Sequence, residues 1–147
     1  MATIRQVYEN WKGLDVLQET AQELIGWDEE IIELNKSQLL DDGEDSEGVK
    51  LKEYSDYYYA NRKHKRNPSP GFGVPDLYDK GDFYDGFKMK LNNKKSYDIF
   101  STDSKNNKLV KQYGKKIFGL NWVNRLEFIR DIFREALIER IKKKVNL

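Results

Sequence analysis

The sequence of 147 residues predicts an α+β domain. Each end of the chain carries a long segment whose apolar residues recur at three- and four-residue spacing, which indicates amphipathic helices. A short alternating segment between them indicates a β-hairpin. The predicted divisions are a helical part at 3–40, a loop-rich part at 41–86, a hairpin at 87–101 and a terminal helix at 121–145. A chain of this length suits one hydrophobic core, so residues 1–147 are predicted to form a single domain.

The first segment is predicted to be helical. Apolar residues recur at helical spacing over 4–25, and Thr3 can cap the start of the helix. Gly26 can interrupt the helix and Asp28 can then cap a second one, so one bent helix and two separate helices both remain open. The helical pattern stops at 41–48, a polar segment that contains glycine.

The middle of the chain gives shorter signals. Val49 and Leu51 alternate with lysine, which indicates a brief strand, and Ser55 can begin a helical turn. The prolines and glycines of 68–75 then predict an extended loop.

The hairpin is predicted from alternation along two adjacent runs. Phe87, Met89 and Leu91 alternate with lysines, and the returning run through Ser101 alternates as well. Asn92 and Asn93 supply the turn, because asparagine tolerates positive φ.

The C-terminal part combines an irregular link with the clearest helix. Residues 101–108 are predicted to be a loop, and 109–120 a short strand or irregular link interrupted by glycine. Asn121 then caps a predicted helix, about 36 Å long at 1.5 Å per residue. The apolar side chains expected to share one stripe of this helix are Trp122, Leu126, Ile129, Phe133, Ala136, Leu137, Ile141 and Val145.

The composition excludes several kinds of chemistry. The chain has no cysteine, which excludes disulfides, thiolate metal sites and cysteine nucleophiles. Its one histidine, His64, lies among cations and is a poor candidate for a metal ligand or a general base. Phosphate-binding, serine-nucleophile and metal-binding motifs are also absent from the sequence, so we expect no catalytic residue, metal or cofactor. A run of roughly 20 apolar residues is lacking too, so a membrane is not an expected partner.

Charge is divided unevenly along the chain. Residues 1–60 carry a balance of −10 between Lys/Arg and Asp/Glu, whereas 61–147 carry +11. The two signs can neutralise each other inside one fold, where an acidic helix lies on a basic one. They can also do so between copies, where the acidic side of one subunit faces the basic side of the next.

Four aspartates at three-residue spacing raise the question of a metal site. A helix would bring such residues onto one face, where their carboxylates could share a cation. The acidic spacing of the EF-hand calcium loop is absent, however, and apolar and aromatic residues intervene. These aspartates are Asp76, Asp79, Asp82 and Asp85.

A structural turn is the interpretation that we favour for the same segment. Pro75, Gly81 and Gly86 argue against an unbroken helix. A turn at Asp79–Gly81 with positive φ at Gly81 would be followed by a helical turn or a strand. Phe83 would be buried next to it.

The densest basic cluster consists of Arg62, Lys63, Lys65 and Arg66. These side chains could contact a phosphate backbone, with neighbouring tyrosines available for stacking on bases. They could equally form a patch for a partner protein, which is the interpretation that we favour.

Three segments, in order, resemble motifs of the virion morphogenesis proteins of tailed phages, also called tail-completion or neck proteins. "QLLDDGEDSEGVKLKEYSDYYYANRK" (38–63) is similar to the family's Q-x-x-x-G-x-D-S-x-G motif with a following Y-S-x-x-Y-A-x-x-K. "LYDKGDFYDGF" (77–87) resembles its glycine turn, although Lys80 stands where threonine is usual. "YGKKIFGL" (113–120) resembles its closing motif. This chain has one more residue than the quoted motif between Gln38 and Gly43, and one more between Ser55 and Tyr59. With these offsets the corresponding positions of the first segment are Gln38, Gly43, Asp45, Ser46, Gly48, Tyr54, Ser55, Tyr59, Ala60 and Lys63.

The resemblance implies a structural, non-enzymatic α+β subunit. Members of that family assemble as rings between the portal and the tail. The resemblance therefore implies a homo-oligomeric ring, of twelve copies first and six as the alternative. It also implies portal and other neck or tail proteins as partners, proximity to genomic DNA in the channel, assembly in the host cytoplasm and a final place at the head–tail junction. The wording, rich in lysine, tyrosine and asparagine, is similar to that of crAss-like phages. The alternative is a small DNA-binding or metal-dependent accessory protein that uses the basic cluster at 62–66.

Overall fold

A computed structural model describes residues 2–92 and 96–147, and it has the predicted α+β class. Within these residues the chain forms eight α-helices and one two-stranded antiparallel sheet. The helices are α1 (Ile4–Lys12), α2 (Val16–Ile25), α3 (Asp28–Ser37), α4 (Tyr57–Arg66), α5 (Asp82–Asp85), α6 (Asn106–Tyr113), α7 (Trp122–Phe128) and α8 (Arg134–Val145). The strands are β1 (Phe87–Asn92) and β2 (Ser96–Ser101).

The N-terminal part forms three helices, whereas the sequence predicted either one bent helix or two separate helices. Thr3 caps α1 as predicted, in a capping box in which its side chain and that of Gln6 each accept a backbone N–H. α1 ends at Gly13, and Asp15 begins α2 by accepting a hydrogen bond from the Gln18 backbone nitrogen. Gly26 ends α2, as predicted.

Two predicted caps are wrong by one residue. α3 has Trp27 at its N-cap, and Asp28 is instead its first helical residue, where a carboxylate still favours the positive end of the helix dipole. α4 is capped by Asp56 rather than Ser55, because the Asp56 carboxylate accepts a 2.8 Å hydrogen bond from the Tyr59 backbone nitrogen.

The predicted hairpin is confirmed. β1 and β2 pair so that Phe87 lies opposite Ser101 and Met89 lies opposite Ile99. The predicted turn residue Asn93 lies outside the described residues, while Asn92 ends β1. The brief strand expected at Val49 and Leu51 is reduced to a single bridge between Glu44 and Lys50.

The core consists of two clusters that the hairpin joins. Met89 and Ile99 pack against both of them. The first cluster includes Leu39, Leu51, Phe83, Tyr84, Phe87 and Ile117. The second consists of Ile31, Leu120, Phe128 and Phe133.

The irregular link expected over 101–120 is wrong in part. Asn106–Tyr113 form α6, and Lys115–Ile117 form a 3₁₀ turn. Leu109, Val110 and Tyr113 share one face of α6 and pack on the first core cluster, so burial decides for a helix where the sequence pattern is short. Gly114 ends this helix with a φ of 87°.

The terminal helix begins at Asn121 as predicted, but its buried side differs from the expected stripe. A π-helical turn over Ile129–Phe133 separates α7 from α8. Such a turn holds more residues than an α-turn, so it shifts the faces of the two halves relative to each other. Phe128 is therefore buried with Phe133, while Ile129 is 43% exposed.

The acidic α2 lies on the basic α8. Glu19 accepts a 2.7 Å hydrogen bond from Arg140 Nε and lies 3.3 Å from Lys144 Nζ. Glu23 lies 3.6 Å from Arg140 as well. Charge is thus neutralised inside the fold at this contact, which is the first of the two arrangements considered above.

We expect Glu19 to make folding stability depend on pH. The hydrogen bond from Arg140, opposed by burial and supported by Lys144, lowers the Glu19 pKa from its ordinary 4.5. A carboxyl whose pKa is lower in the folded state stabilises the fold above its unfolded pKa and loses that contribution as the pH falls through the folded pKa. Chemical denaturation from neutral pH to about pH 3 should therefore show a smaller loss of stability in Glu19→Gln than in the wild type.

The matched control is Glu135→Gln. Glu135 also pairs with an arginine on the terminal helix, but both side chains are more than 60% exposed and the contact is 3.4 Å. This control should keep the wild-type pH dependence. A Glu19→Gln profile parallel to that of the wild type would contradict the assignment.

Candidate functional site

The four aspartates do not converge on one point. Asp76 is buried and pairs with the Lys63 ammonium, whereas Asp79 is exposed and lies 3.5 Å from Lys105 Nζ. Asp82 and Asp85 are exposed at the two ends of α5. Within 2–92 and 96–147, no three His, Asp or Glu side chains lie close enough together to hold a metal ion.

The glycine turn has the geometry that the turn hypothesis requires. Gly81 has a φ of 99°, a conformation that L-residues rarely adopt, and α5 follows it directly. Phe83 is buried in the first core cluster, and its carbonyl accepts a 2.7 Å hydrogen bond from Ser101 Oγ. Asp79 remains exposed on the outer side of the turn. The turn therefore orients Phe83 toward the core.

Buried hydrogen bonds and an ion pair hold the backbone next to this turn in place. Lys63 donates to the Tyr78 carbonyl as well as pairing with Asp76, and the Tyr84 hydroxyl donates to the Asp76 carbonyl. Asn67 Nδ2 donates to Asp76 Oδ2 at 3.2 Å. Lys63 is therefore not part of an exposed basic patch, because its ammonium is used inside the fold.

The rest of the basic cluster lies on the outside of α4. The Arg62 guanidinium lies 5.7 Å from the centre of the Tyr59 ring, and Arg66 Nη2 donates to the Asp79 carbonyl at 3.2 Å. Lys65 is exposed. The patch available to a partner or a phosphate is thus Arg62, Lys65 and Arg66, which we call the α4 basic patch.

Exposed aromatic side chains adjoin this patch. Tyr57 is 66% exposed and Tyr58 is 79% exposed, and Phe72 lies 5.5 Å from the Tyr57 ring. His64 is half-buried with its ring centre 5.6 Å from that of Phe72. Its Nδ1 is buried and has no hydrogen-bond partner among the described residues. The contact that the His64 imidazole makes here is thus aromatic packing against Phe72.

A groove of about 550 Å³ lies between the glycine turn, α4 and α6. Its walls include the phenols of Tyr54 and Tyr113 and the lysines Lys105 and Lys108. Burial is the largest cause of a raised pKa at both tyrosines, so their phenols stay protonated at neutral pH. These hydroxyls can form hydrogen bonds but do not supply a phenolate nucleophile.

A buried amide network joins two of the three segments that carry the family resemblance. Gln38 is fully buried; its Oε1 accepts from the Asn121 backbone nitrogen at 2.7 Å and from Asn124 Nδ2 at 3.1 Å. Its Nε2 donates to the carbonyls of Glu44 and Gly119, at 3.3 and 3.1 Å. We call this arrangement the Gln38 network. It connects the end of α3, the following loop and the start of α7.

Asn35 performs a related task that the sequence analysis missed. It is fully buried, donates to the Ile117 carbonyl at 3.1 Å and accepts from the Gly119 backbone nitrogen at 2.9 Å. Its position one turn before Gln38, on the buried side of a helix, was the available signal, because a buried amide requires partners.

The remaining motif residues also hold the backbone together. The Ser46 backbone nitrogen donates to the Lys116 carbonyl at 2.7 Å, and Asp45 Oδ1 accepts from the backbone nitrogens of Glu47 and Val49. A Cβ atom at Gly119, where φ is 114°, would lie 3.2 Å from Ser46 Cβ. These residues position chain segments and leave no reactive group free.

Two helix faces expose large apolar side chains. One lies on α1 and the other on α7 and the first residue of the π-helical turn. We call them the α1 face (Ile4, Tyr8 and Trp11) and the α7 face (Trp122, Val123, Leu126 and Ile129).

Comparison of the chain with family models, curated proteins and solved structures finds no match. Among the described residues, no helix has both the length and the apolar character that crossing a membrane requires.

We expect Gln38→Glu to destabilise the fold by at least about 2 kcal/mol, because a carboxyl cannot donate to both facing carbonyls and an ionised one is repelled by them. The control is Gln22→Glu at an exposed position of α2, where a change within about 0.5 kcal/mol is expected. Chemical denaturation measures both. Equal effects would contradict a structural role for the Gln38 network.

We expect Gly81→Ala to destabilise the fold by about 1–2 kcal/mol, because a Cβ is disfavoured at positive φ. Gly13→Ala is the control: Gly13 has a φ of −84°, and an added Cβ there meets its nearest atoms at 3.8 Å. Thermal unfolding should separate the two variants. A Gly81→Ala protein as stable as the wild type would show the turn to be tolerant of a side chain.

Proposed function

We propose that the chain is a structural virion protein, a ring subunit of a phage neck or tail that joins the portal to the tail. The starting point is the ordered resemblance of 38–63, 77–87 and 113–120 to the tail-completion family. Support comes from the work that these segments do in the fold. Gln38, Ser46 and Gly119 hold backbone segments in place. This is the role that we expect motif residues to have in a structural, non-enzymatic subunit.

The observation that carries the proposal is the pair of exposed apolar faces. Ile4 is 90% exposed and Trp122 is 68% exposed, and each is followed by further exposed apolar residues on the same helix face. Soluble monomers rarely expose large contiguous apolar patches, and such patches mark sites of association. A subunit that completes its packing in an assembly accounts for both faces.

The proposed role is non-enzymatic and needs no cofactor. The side chains that could support catalysis are engaged elsewhere: Asp76 pairs with Lys63, and His64 packs on Phe72. Phenols such as Tyr113 stay protonated at neutral pH. The groove beside the glycine turn thus offers hydrogen bonds and positive charge without an activated group.

The resemblance supplies the remaining details of the proposal. The ring would contain twelve copies, or six if it belongs to the tail, and would contact the portal and other neck or tail proteins. It would line or surround the DNA channel at the head–tail junction after assembly in the host cytoplasm. The α4 basic patch is the surface best suited to face DNA or an acidic neighbour.

One observation favours the alternative of a DNA-binding accessory protein. Tyr57 and Tyr58 are exposed beside the α4 basic patch, and aromatic rings next to cations can stack on bases while the cations neutralise phosphates. The metal-dependent form of this alternative lacks support, because the four aspartates lie apart.

Electron microscopy of purified particles tests the proposal. We expect several copies of the chain in cyclic arrangement at the head–tail junction. A particle that lacks the chain there, or carries it as a single copy, would end the proposal.

DNA binding by the isolated chain tests the alternative. A monomer that binds DNA tightly, with an affinity that falls steeply as salt is added, would favour it. Arg62→Ala/Lys65→Ala should then abolish binding, whereas Lys88→Ala/Lys90→Ala on the exposed side of β1 should have a smaller effect.

A further inference from the structure

α1 is an amphipathic helix whose apolar side points outward. Ile4, Tyr8 and Trp11 follow one another at spacings of four and three, which places them on one face of the helix. They are 90%, 57% and 46% exposed. All of α1 is described by the structure, and none of its residues is buried.

The less exposed side of α1 carries Val7 and Asn10, and the large apolar side chains Ile4, Tyr8 and Trp11 lie outside it. Gln6 and Asn10 share a shallow depression with Asn146, which follows α8. Surface helices normally turn their apolar stripe toward the core and their polar side toward water. In α1 the large apolar side chains Ile4, Tyr8 and Trp11 instead lie in water, so the α1 face is available to something outside the chain.

The exposed apolar residues of the α7 face have the same spacing as those of the α1 face. Trp122, Leu126 and Ile129 follow one another at spacings of four and three, as in α1, with Val123 beside them. Phe128, on the other side of the helix, is the residue buried in the core. Each face therefore extends over about 11 Å of helix and begins or ends with a tryptophan.

The two faces lie at opposite ends of the terminal helical segment. α1 lies beside Asn146, after the last turn of α8, whereas the α7 face begins at the first residue of α7. Roughly 36 Å of helix separates these ends. In this arrangement the two faces of one chain cannot contact each other. A contact between the α1 face of one copy and the α7 face of another is heterologous, because it joins two different surfaces. Such a contact repeats from copy to copy until the copies close into a ring.

The exposed apolar area fits a specific contact between copies. The three large side chains of the α1 face and the four of the α7 face expose roughly 400 Å² each, judged from their exposed fractions and typical side-chain areas. Together that is about 800 Å², close to the apolar share of a standard interface of about 1,600 Å². Both borders carry both charge signs, Arg5 and Glu9 on α1 and Glu127 and Arg130 near the α7 face, so neither face presents charge of a single sign to the other.

We infer that the α1 face of one copy packs on the α7 face of the next copy. The inference rests on the ring of the proposed function and adds the contact that builds it. Other occupants, such as an unlike protein or a lipid surface, would leave one face of each copy without its counterpart in a sample of this chain alone.

Cross-linking provides the test, because the chain has no native cysteine. Tyr8→Cys and Leu126→Cys each place one thiol within one of the faces. Mixed and treated with a short bismaleimide, the two single-cysteine chains should give a covalent dimer in high yield. Tyr8→Cys mixed with Glu135→Cys, an exposed position outside the α7 face, should give at least tenfold less.

A second pair of variants tests whether unlike faces meet. Ile4→Gln/Trp11→Gln removes the α1 face, and Leu126→Gln/Ile129→Gln removes the α7 face; all four positions are exposed, so circular dichroism should show unchanged folding. Each variant alone should be monomeric by size-exclusion chromatography with light scattering. Mixed one to one, they should give dimers only, because each copy retains one intact face.

The outcomes separate this inference from the proposed function. Assemblies that form without the 8–126 cross-link, or that survive in either Gln variant alone, would overturn the inference while leaving a ring possible through another surface. A strictly monomeric wild type without the cross-link at high concentration would overturn it as well. Cross-linked assemblies of a chain that is absent from particles would support the contact and end the virion role.

Discussion

The rest of the structure depends on the buried amide of Gln38. A π-helical turn (Gln38–Asp42) follows α3, and the loop after it and the link at 118–121 have little regular secondary structure, so their backbone groups need partners from elsewhere. Gln38 supplies them by accepting from the Asn121 backbone nitrogen and donating to the Glu44 and Gly119 carbonyls. In a site with no exposed surface, each of these bonds is worth more than in water, and each would be costly to leave unmade. One side chain thereby fixes where the terminal helix begins.

The start of the terminal helix in turn decides which of its residues are buried. With Asn121 held as the cap, α7 must bury Phe128, and the π-helical turn is what allows Phe133 to reach the same cluster five residues later. With Phe128 on the buried side of α7, Leu126 and Ile129 lie on its exposed side. The exposed α7 face is therefore a consequence of how the core is filled, and the apolar residues placed there are free for use by another molecule.

The sequence predicted those features that rest on local chemistry. The fold class, the hairpin and the caps at Thr3 and Asn121 are confirmed because spacing and capping are local properties. The positive φ at Gly81 is confirmed for the same reason. α6 and the π-helical turn were missed, since burial against residues distant in the chain decides both. The Gln38 network was visible only as a matching position, because hydrogen bonds across some eighty residues leave no periodicity in the sequence.

The distribution of satisfied and unsatisfied groups is the strongest physical argument about what this protein does. Three of its buried polar side chains are paired: Asp76 with Lys63, Glu19 with Arg140, and Gln38 with the backbone, while His64 Nδ1 is buried without a hydrogen-bond partner among the described residues. The large apolar side chains show the opposite pattern, since Ile4, Trp122 and their neighbours remain in water. A fold with large apolar side chains in water gains free energy when association buries them. A contact between unlike faces of identical copies would bury them equally in every copy of a closed ring.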